Sequence, residues 1–319
     1  MCGIFGYIGK KKASPIILKG LERLEYRGYD SAGIAVLNGR DHIWLKKKKG
    51  KVKDLAELLK TEDSSGSIAL GHTRWATHGM PSDSNAHPHL AGKNRIAVVH
   101  NGIIENYADI KEKLVSEGIS FKSQTDSEVL VHLIEKAYDK SRDLKTAIKK
   151  ALSEIKGTYA LAAIHHDEPD KIVVTRMDSP LIIGVGENEN FVSSDIPAVL
   201  DHTQQILSLE NGDMAVISEK TIEVFDSSDS LKALQPTKID WNIEQAEKGG
   251  YSHFMLKEIF EQPHVLSEII KKRIHNGRIV FDELKLDINK FKEITNISII
   301  ACGTSYHAGM VGRYIFESL

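Results

Sequence analysis

The sequence predicts an α+β fold, in which helices and strands occupy separate stretches of the chain. Helical periodicity gathers over 14–26, over 107–117 and from 125 to about 154. Short apolar runs then follow one another as strands: Tyr159 to Ile164, Lys171 to Thr175, Leu181 to Val185, Ile206 to Leu209, Met214 to Ile217 and Ile222 to Phe225. Strands grouped beside segregated helices suit a layered α+β domain, where each apolar face needs another layer to cover it. A polar stretch, Asp226-Ser227-Ser228-Asp229-Ser230, marks a change of composition. It suggests a first domain over 2–226, a linker over 227–250 and a second region over 251–319.

Composition bounds the function classes. With 319 residues the chain can hold one large domain and part of another. Hydrophobic residues at 41% and charged residues at 27% fit a globular protein. A net charge of −2 gives no electrostatic reason to expect nucleic acid or a membrane as partner. No apolar run approaches the ~20 residues of a membrane helix. Lys10-Lys11-Lys12 follows the apolar opening, the reverse of a secretory signal. Two cysteines at opposite ends suggest no disulfide framework, so a cytoplasmic address is expected.

Taken in order, Ile4 to Ile8 reads as an opening strand. A helix from about Ser14 to Tyr26 follows, with Ser14 as cap, Pro15 in the first turn, and Ile17, Leu21 and Leu24 on one face. A turn through Arg27-Gly28-Tyr29-Asp30 leads to a strand, Ile34 to Leu37. A second strand around Ile43-Trp44-Leu45 runs into Lys46 to Lys49, read as a solvated edge or turn. Ile68-Ala69-Leu70 and Ile96 to Val99 read as buried strands, and Tyr107 to Glu117 as a helix. Thr125-Asp126-Ser127-Glu128 has the spacing of a capping box, with Thr125 as cap and Glu128 reaching back.

The chemistry begins at Met1-Cys2-Gly3-Ile4-Phe5-Gly6. A residue as small as cysteine at the second position permits removal of Met1, leaving a thiol and a free α-amine on one carbon. Their reference pKa values, about 8.5 and roughly 8, make proton transfer between them cheap. Nucleophile and base could then be one residue. The plain alternative is a free cysteine on a first strand.

Ser67 to Gly102 is the next informative stretch. Arg74, a planar fork at a strand end in Gly71-His72-Thr73-Arg74-Trp75-Ala76-Thr77-His78-Gly79, suits bidentate capture of a carboxylate. Asn101-Gly102, after a buried strand, offers a side-chain amide and a close backbone N–H for an oxyanion. The commoner use of that dipeptide is a hairpin turn. Five of the fourteen histidines lie between 72 and 100, yet they lack companions at zinc spacing, so hydrogen-bonded loop histidines are expected and no metal. Asp126 could face a ligand's ammonium group or merely serve a helix end.

Beyond the polar stretch, a helical pattern from about His253 to Arg273 is interrupted at Pro263. Ile297 to Ala301 reads as a buried strand turning through Cys302-Gly303-Thr304-Ser305 into a helix. A strand, a hydroxyl-bearing turn and a helix start make a weak phosphate cradle. One strand and one helix are too little for a parallel sheet, so the strand's edges and apolar faces should be exposed.

Cys2-Gly3-Ile4-Phe5-Gly6, Leu24 to Ala35, Gly71 to Gly79, Asn85 to His89 and His100 to Asn106 together resemble the glutaminase domain of class II amidotransferases, which are N-terminal-nucleophile hydrolases. Tyr29 and Trp75 point to members that aminate a sugar phosphate. His253 to Pro263 and Cys302 to Ser305 resemble the start of a sugar-isomerase region. The resemblance spans essentially the whole chain.

It implies a four-layer αββα sandwich followed by a linker and an incomplete α/β sugar-isomerase domain. It implies Cys2 as nucleophile with its own amine as base, and Asn101 and Gly102 as oxyanion hole. Arg74 would hold the carboxylate of L-glutamine and Asp126 its ammonium, with Thr77 and His78 lining the pocket and Trp75 on a closing loop. Arg27 and Tyr29 are expected near Cys2. Thr304 and Ser305 would touch the phosphate of fructose 6-phosphate, once the rest of the isomerase region is supplied. No cofactor is expected, and the full-length enzyme would be a homodimer. The alternative is a non-catalytic subunit that docks a separate isomerase chain.

Overall fold

The computed structural model describes residues 2–39, 42–62, 64–239, 251–275, 277–280, 294–301 and 303–318. The chain divides into two units, Met1–Glu247 and Lys248–Leu319.

The first unit contains two antiparallel sheets. One has eight strands, namely β1 (Gly3–Ile8), β2 (Ser31–Leu37), β3 (Trp44–Lys49), β4 (Ile68–Arg74), β9 (Ile182–Val185), β10 (Asn190–Ser193), β11 (Gln205–Ser208) and β15 (Thr237–Lys238), in the order β15-β11-β9-β10-β1-β4-β2-β3. The other has seven: β5 (His89–Ala91), β6 (Ile96–Ile104), β7 (Gly157–His165), β8 (Glu168–Met177), β12 (Met214–Ile217), β13 (Ile222–Phe225) and β14 (Leu231–Lys232), in the order β14-β13-β12-β8-β7-β6-β5. Helices α1 (Ala13–Leu24) and α2 (Val52–Leu59) cover the first sheet; α3 (Tyr107–Ser116), α4 (Glu128–Ser141) and α5 (Leu144–Leu152) cover the second. This is the four-layer αββα sandwich.

Period-two alternation builds it. Along β1, Ile4 and Ile8 join the core between the sheets, while Phe5 and Tyr7 face α1. A Cβ at Gly20 of α1 would run into the Phe5 ring, so glycine lets that helix lie close on the strand. Ala97 and Val99 of β6 face the other sheet, whereas Ile96 and Val98 face the α3–α5 layer. In β4, Ile68 and Leu70 point between the sheets. The same parity sends His72, Arg74 and Asn101 toward that interior as the strands run on, so the polar site is a continuation of the inter-sheet core.

Several local expectations are corrected. Ser14 lies inside α1 and donates to the Ser64 carbonyl at 2.7 Å, so it does not cap the helix. Of the two readings of Lys46 to Lys49, edge or turn, the edge holds: they belong to β3, the sheet's edge strand, where lysines discourage further pairing. Asn101-Gly102 lies within β6 and makes no hairpin turn. Residues 231–238 carry β14 and β15, which pair with the first unit's sheets beyond the polar stretch.

In the second unit, α6 (Phe254–Arg273) runs through Pro263 without a break, and α7 spans Gly303–Ser318. A two-stranded pairing joins Ile274–His275 to Arg278–Ile279. Ile297 to Ala301 is not a buried strand: it pairs with no other strand among the described residues, and Ile300 is 97% exposed. A strand needs a neighbour for its backbone groups, and none is described beside it. Gly249, Gly250 and Cys302 lie outside the described residues. No described helix is long and apolar enough to cross a membrane.

Candidate active site

Register brings the nucleophile candidate to the arginine. Gly3 pairs with Thr73 and Ile4 with His72, so Cys2, just before β1, arrives beside the end of β4. The Trp75 N–H donates to the Cys2 sulfur at 3.2 Å. The Cys2 carbonyl accepts from Arg27 Nε and from Asn101 Nδ2, both at 3.1 Å. Arg27 is in turn held by Asp195 through Nη1 at 2.9 Å. The residue that carries the thiol is therefore clamped from two directions.

Burial pushes the Cys2 thiol above its usual pKa, although the Trp75 backbone bond pulls the other way. At neutral pH the group is a thiol. Attack on a carbonyl then requires a base, because the thiolate is the nucleophile.

Arg74 is buried. Its Nη2 donates to the His78 carbonyl and, at 3.0 Å, to the Gly79 carbonyl, so one guanidinium nitrogen ties down the 75–79 loop. Its Nη1 is buried with no partner in the structure. An unsatisfied buried charged donor costs stability until an anion meets it. Asp30 braces the same loop by accepting the Ala76 N–H.

Gly102 has φ +135°, and a Cβ there would strike the Thr158 carbonyl, so only glycine fits. Asp126 is buried, with one carboxylate oxygen accepting the Ile104 N–H at 2.8 Å. It precedes α4 and does not lie in its first turn. The capping box is also absent. Glu128 accepts from the Lys122 and Ser123 N–H groups, both at 2.7 Å, and from Ser123 Oγ, while the Thr125 hydroxyl meets His89 Nε2 at 2.9 Å. The spacing was right, but the carboxylate anchors the loop ahead of the helix. Burial alone would raise Glu128, yet the nearby His132 ring and the bonds from the Lys122 N–H and Ser123 outweigh it and hold it down at about 2.

Cys2, Arg74, Trp75, Thr77, Gly102 and Asp126 line one narrow, partly open cleft with about 20 Å³ of free space, room for a single water. His87, His100, Thr125 and Ser127 complete its wall. Asn101 reaches it through the Cys2 carbonyl. His78 stands at its side, edge-on to Tyr107 with ring centroids 5.4 Å apart. Trp75 is half-exposed and meets Tyr29 edge-on at 5.3 Å. Thr304 and Ser305 lie in the first turn of α7 in the second unit, exposed.

The histidines His72, His87, His89 and His100 are buried together, and burial lowers the pKa of each. Among the described residues no group of His, Cys, Asp or Glu is arranged to hold a metal. Sequence reasoning gave no roles to Asp30, Asp195 or His72, and gave Glu128 only that of a helix cap. Only His72 carried a readable signal, its spacing of two from Arg74 on one strand.

Fold and site are similar to those of glutamine amidotransferases of the N-terminal-nucleophile type. The glutamine amidotransferase domain family matches residues 72–201. Glutamine phosphoribosylpyrophosphate amidotransferase from B. subtilis superposes with a TM-score of 0.61 at 29% identity, over 72% of this chain and 50% of that one. Along its whole length the chain is similar to glutamine–fructose-6-phosphate aminotransferases (isomerizing). The Clostridium tetani protein is 49% identical over 100% of this chain and 52% of its own length. That of Methanosarcina mazei is 46% identical over 100% of this chain and 53% of its own. The chain thus spans about half the length of these relatives.

Proposed function

We propose that the first unit hydrolyses L-glutamine to glutamate and ammonia through Cys2. The observation that carries this reading is the convergence of Cys2, Arg74, Gly102 and Asp126 on one cleft, with the buried Nη1 of Arg74 unsatisfied. That nitrogen would take the substrate's α-carboxylate, and Asp126 its α-ammonium. The side-chain amide would then extend toward the sulfur.

With Met1 removed, the α-amine of Cys2 takes the thiol proton as sulfur bonds to the amide carbon. The charge that develops on the amide oxygen falls to Asn101 Nδ2 and the Gly102 N–H. Collapse breaks the C–N bond, and the leaving nitrogen takes the proton back and departs as ammonia. Water, deprotonated by the same amine, cleaves the thioester to glutamate and restores the thiol. The free space in the cleft fits about one water, so the exposed Trp75 and the 75–79 loop would shift to seat glutamine and cover it.

The ammonia would serve amination of fructose 6-phosphate, by similarity to the aminotransferases named above, with Thr304 and Ser305 at the sugar phosphate and a cytoplasmic address. Release of glutamate by the chain, abolished in Cys2→Ala with an unchanged circular dichroism spectrum, tests the reading. Equal release by that variant would remove it.

A further inference from the structure

His72 lies on β4 two residues before Arg74 and is wholly buried, its ring stacked on His87 with centroids 4.2 Å apart. Its Nε2 stands 3.0 Å from Asn101 Oδ1 and 3.2 Å from the His100 carbonyl. The His100 carbonyl can only accept, so Nε2 carries a proton. Burial drives the ring's pKa down to about 3, against the pull of the Asn101 and His100 bonds, so the ring is neutral and Nδ1 is bare. That Nδ1 has no partner in the structure, and nothing there favours the other tautomer. In the same stack, His87 Nδ1 lies 3.3 Å from the His100 N–H and accepts it.

The tautomer decides which way the Asn101 amide faces. Its two ends have nearly the same shape, and a flip exchanges donor for acceptor. With Nε2–H in place, Oδ1 must face His72, which leaves Nδ2 facing Cys2 and donating to its carbonyl. Flipped, the amide would set NH₂ against Nε2–H and oxygen against the Cys2 carbonyl oxygen. An amide NH₂ has two hydrogens. One holds the Cys2 carbonyl, and the second is free for the oxygen on which charge develops.

We propose that His72 is a positioning residue, whose Nε2–H fixes the Asn101 amide so that its nitrogen faces the oxyanion. The proposal rests on the glutaminase reading of this site. It is distinct from any role for Asn101 itself, since His72 would act without touching substrate.

Two variants of this chain test it. His72→Phe keeps a flat ring against His87 and removes the donor; His72→Gln restores an N–H near the same reach. His72→Phe should lower kcat for glutamine hydrolysis about 10–100-fold with KM changed by less than about twofold, as weakening one oxyanion donor does. It should lose affinity by a similar factor for glutamate semialdehyde, whose adduct with Cys2 carries the oxyanion, and keep its affinity for glutamate. His72→Gln should recover most of kcat. A folded His72→Phe that turns over like the wild type, or that loses affinity for both ligands equally, would overturn the proposal. A proton–nitrogen correlation spectrum of the wild-type side chain reads the tautomer without any variant: Nε2–H is expected, and Nδ1–H would overturn the proposal. Failure of the glutaminase reading looks different, since the wild-type chain would then release no glutamate at all.

Discussion

Asn101 donates its side-chain amide to the carbonyl of Cys2 at 3.1 Å, across 99 residues of sequence and from one sheet to the other. The bond makes one amide both a clamp on the nucleophile's backbone and a donor beside the reacting carbon. Replacing Asn101 by Ala should therefore cut kcat for glutamine hydrolysis by about 10²–10³-fold, the range for an oxyanion-hole donor. Steady-state kinetics check it. A loss in KM alone would place Asn101 in ground-state binding.

Arg74 and Asp126 concern affinity. Arg74→Lys replaces a planar fork by a point charge, and the ammonium cannot both hold the His78 and Gly79 carbonyls and meet a carboxylate. Glutamine binding should weaken severely in this variant, and Asp126→Asn should weaken it by removing the ammonium's partner. Titration calorimetry on a Cys2→Ala background separates binding from turnover. Lower turnover with unchanged affinity would mean that the residue meets another part of the substrate.

Glu128 holds the 122–125 loop without touching the cleft. Glu128→Gln keeps one acceptor oxygen and turns an NH₂ toward either the Lys122 or the Ser123 N–H, which leaves that buried donor unpaired at a cost of about 1–3 kcal/mol. Denaturant unfolding should show that loss. KM for glutamine should rise, because the same loop leads to Thr125 and Asp126 in the cleft wall. Unchanged stability would contradict the anchoring role.

The buried histidines set an acid limit. His72, His87, His89 and His100 have folded pKa values below the ordinary 6.5, so the unfolded chain binds more protons once pH falls below that value. Stability is fully present above about 6.5 and declines as pH falls below it, for His72 down to about 3, with a slope of ~1.4 kcal/mol per pH unit for each extra proton. Glu128, held at about 2, adds a loss in the same direction below its ordinary value of 4.5. His132 opposes them: burial alone would lower it, but Glu128 and Glu135 raise it above 6.5. Unfolding midpoints in urea at pH 7 and pH 5 should differ markedly, and His72→Phe should flatten the difference. A flat profile in the wild type would contradict neutral burial.

The sequence made the layered class readable because its helices and strands fall in separate stretches, and Arg74 and Asn101 stood out as polar residues at the ends of apolar strands. Asn190–Ser193 escaped notice as a strand. It is four residues long and opens on a polar side chain, yet it pairs directly with β1. Thr125 to Glu128 misled because a glutamate three residues after a threonine has the same spacing whether it reaches back to the cap or to the loop before it. Ile297 to Ala301 had strand composition without a described neighbour to pair with. Arg27 reaches the Cys2 carbonyl through a contact 25 residues long that no local pattern encodes.

The central claim is that Cys2, freed of Met1, becomes acylated by glutamine. Acid quench during turnover, followed by peptide mass mapping, reads this directly. A γ-glutamyl group on the sulfur of a peptide that begins at Cys2 is the predicted result. An acyl group on any other residue, or on a peptide that still carries Met1, would contradict it.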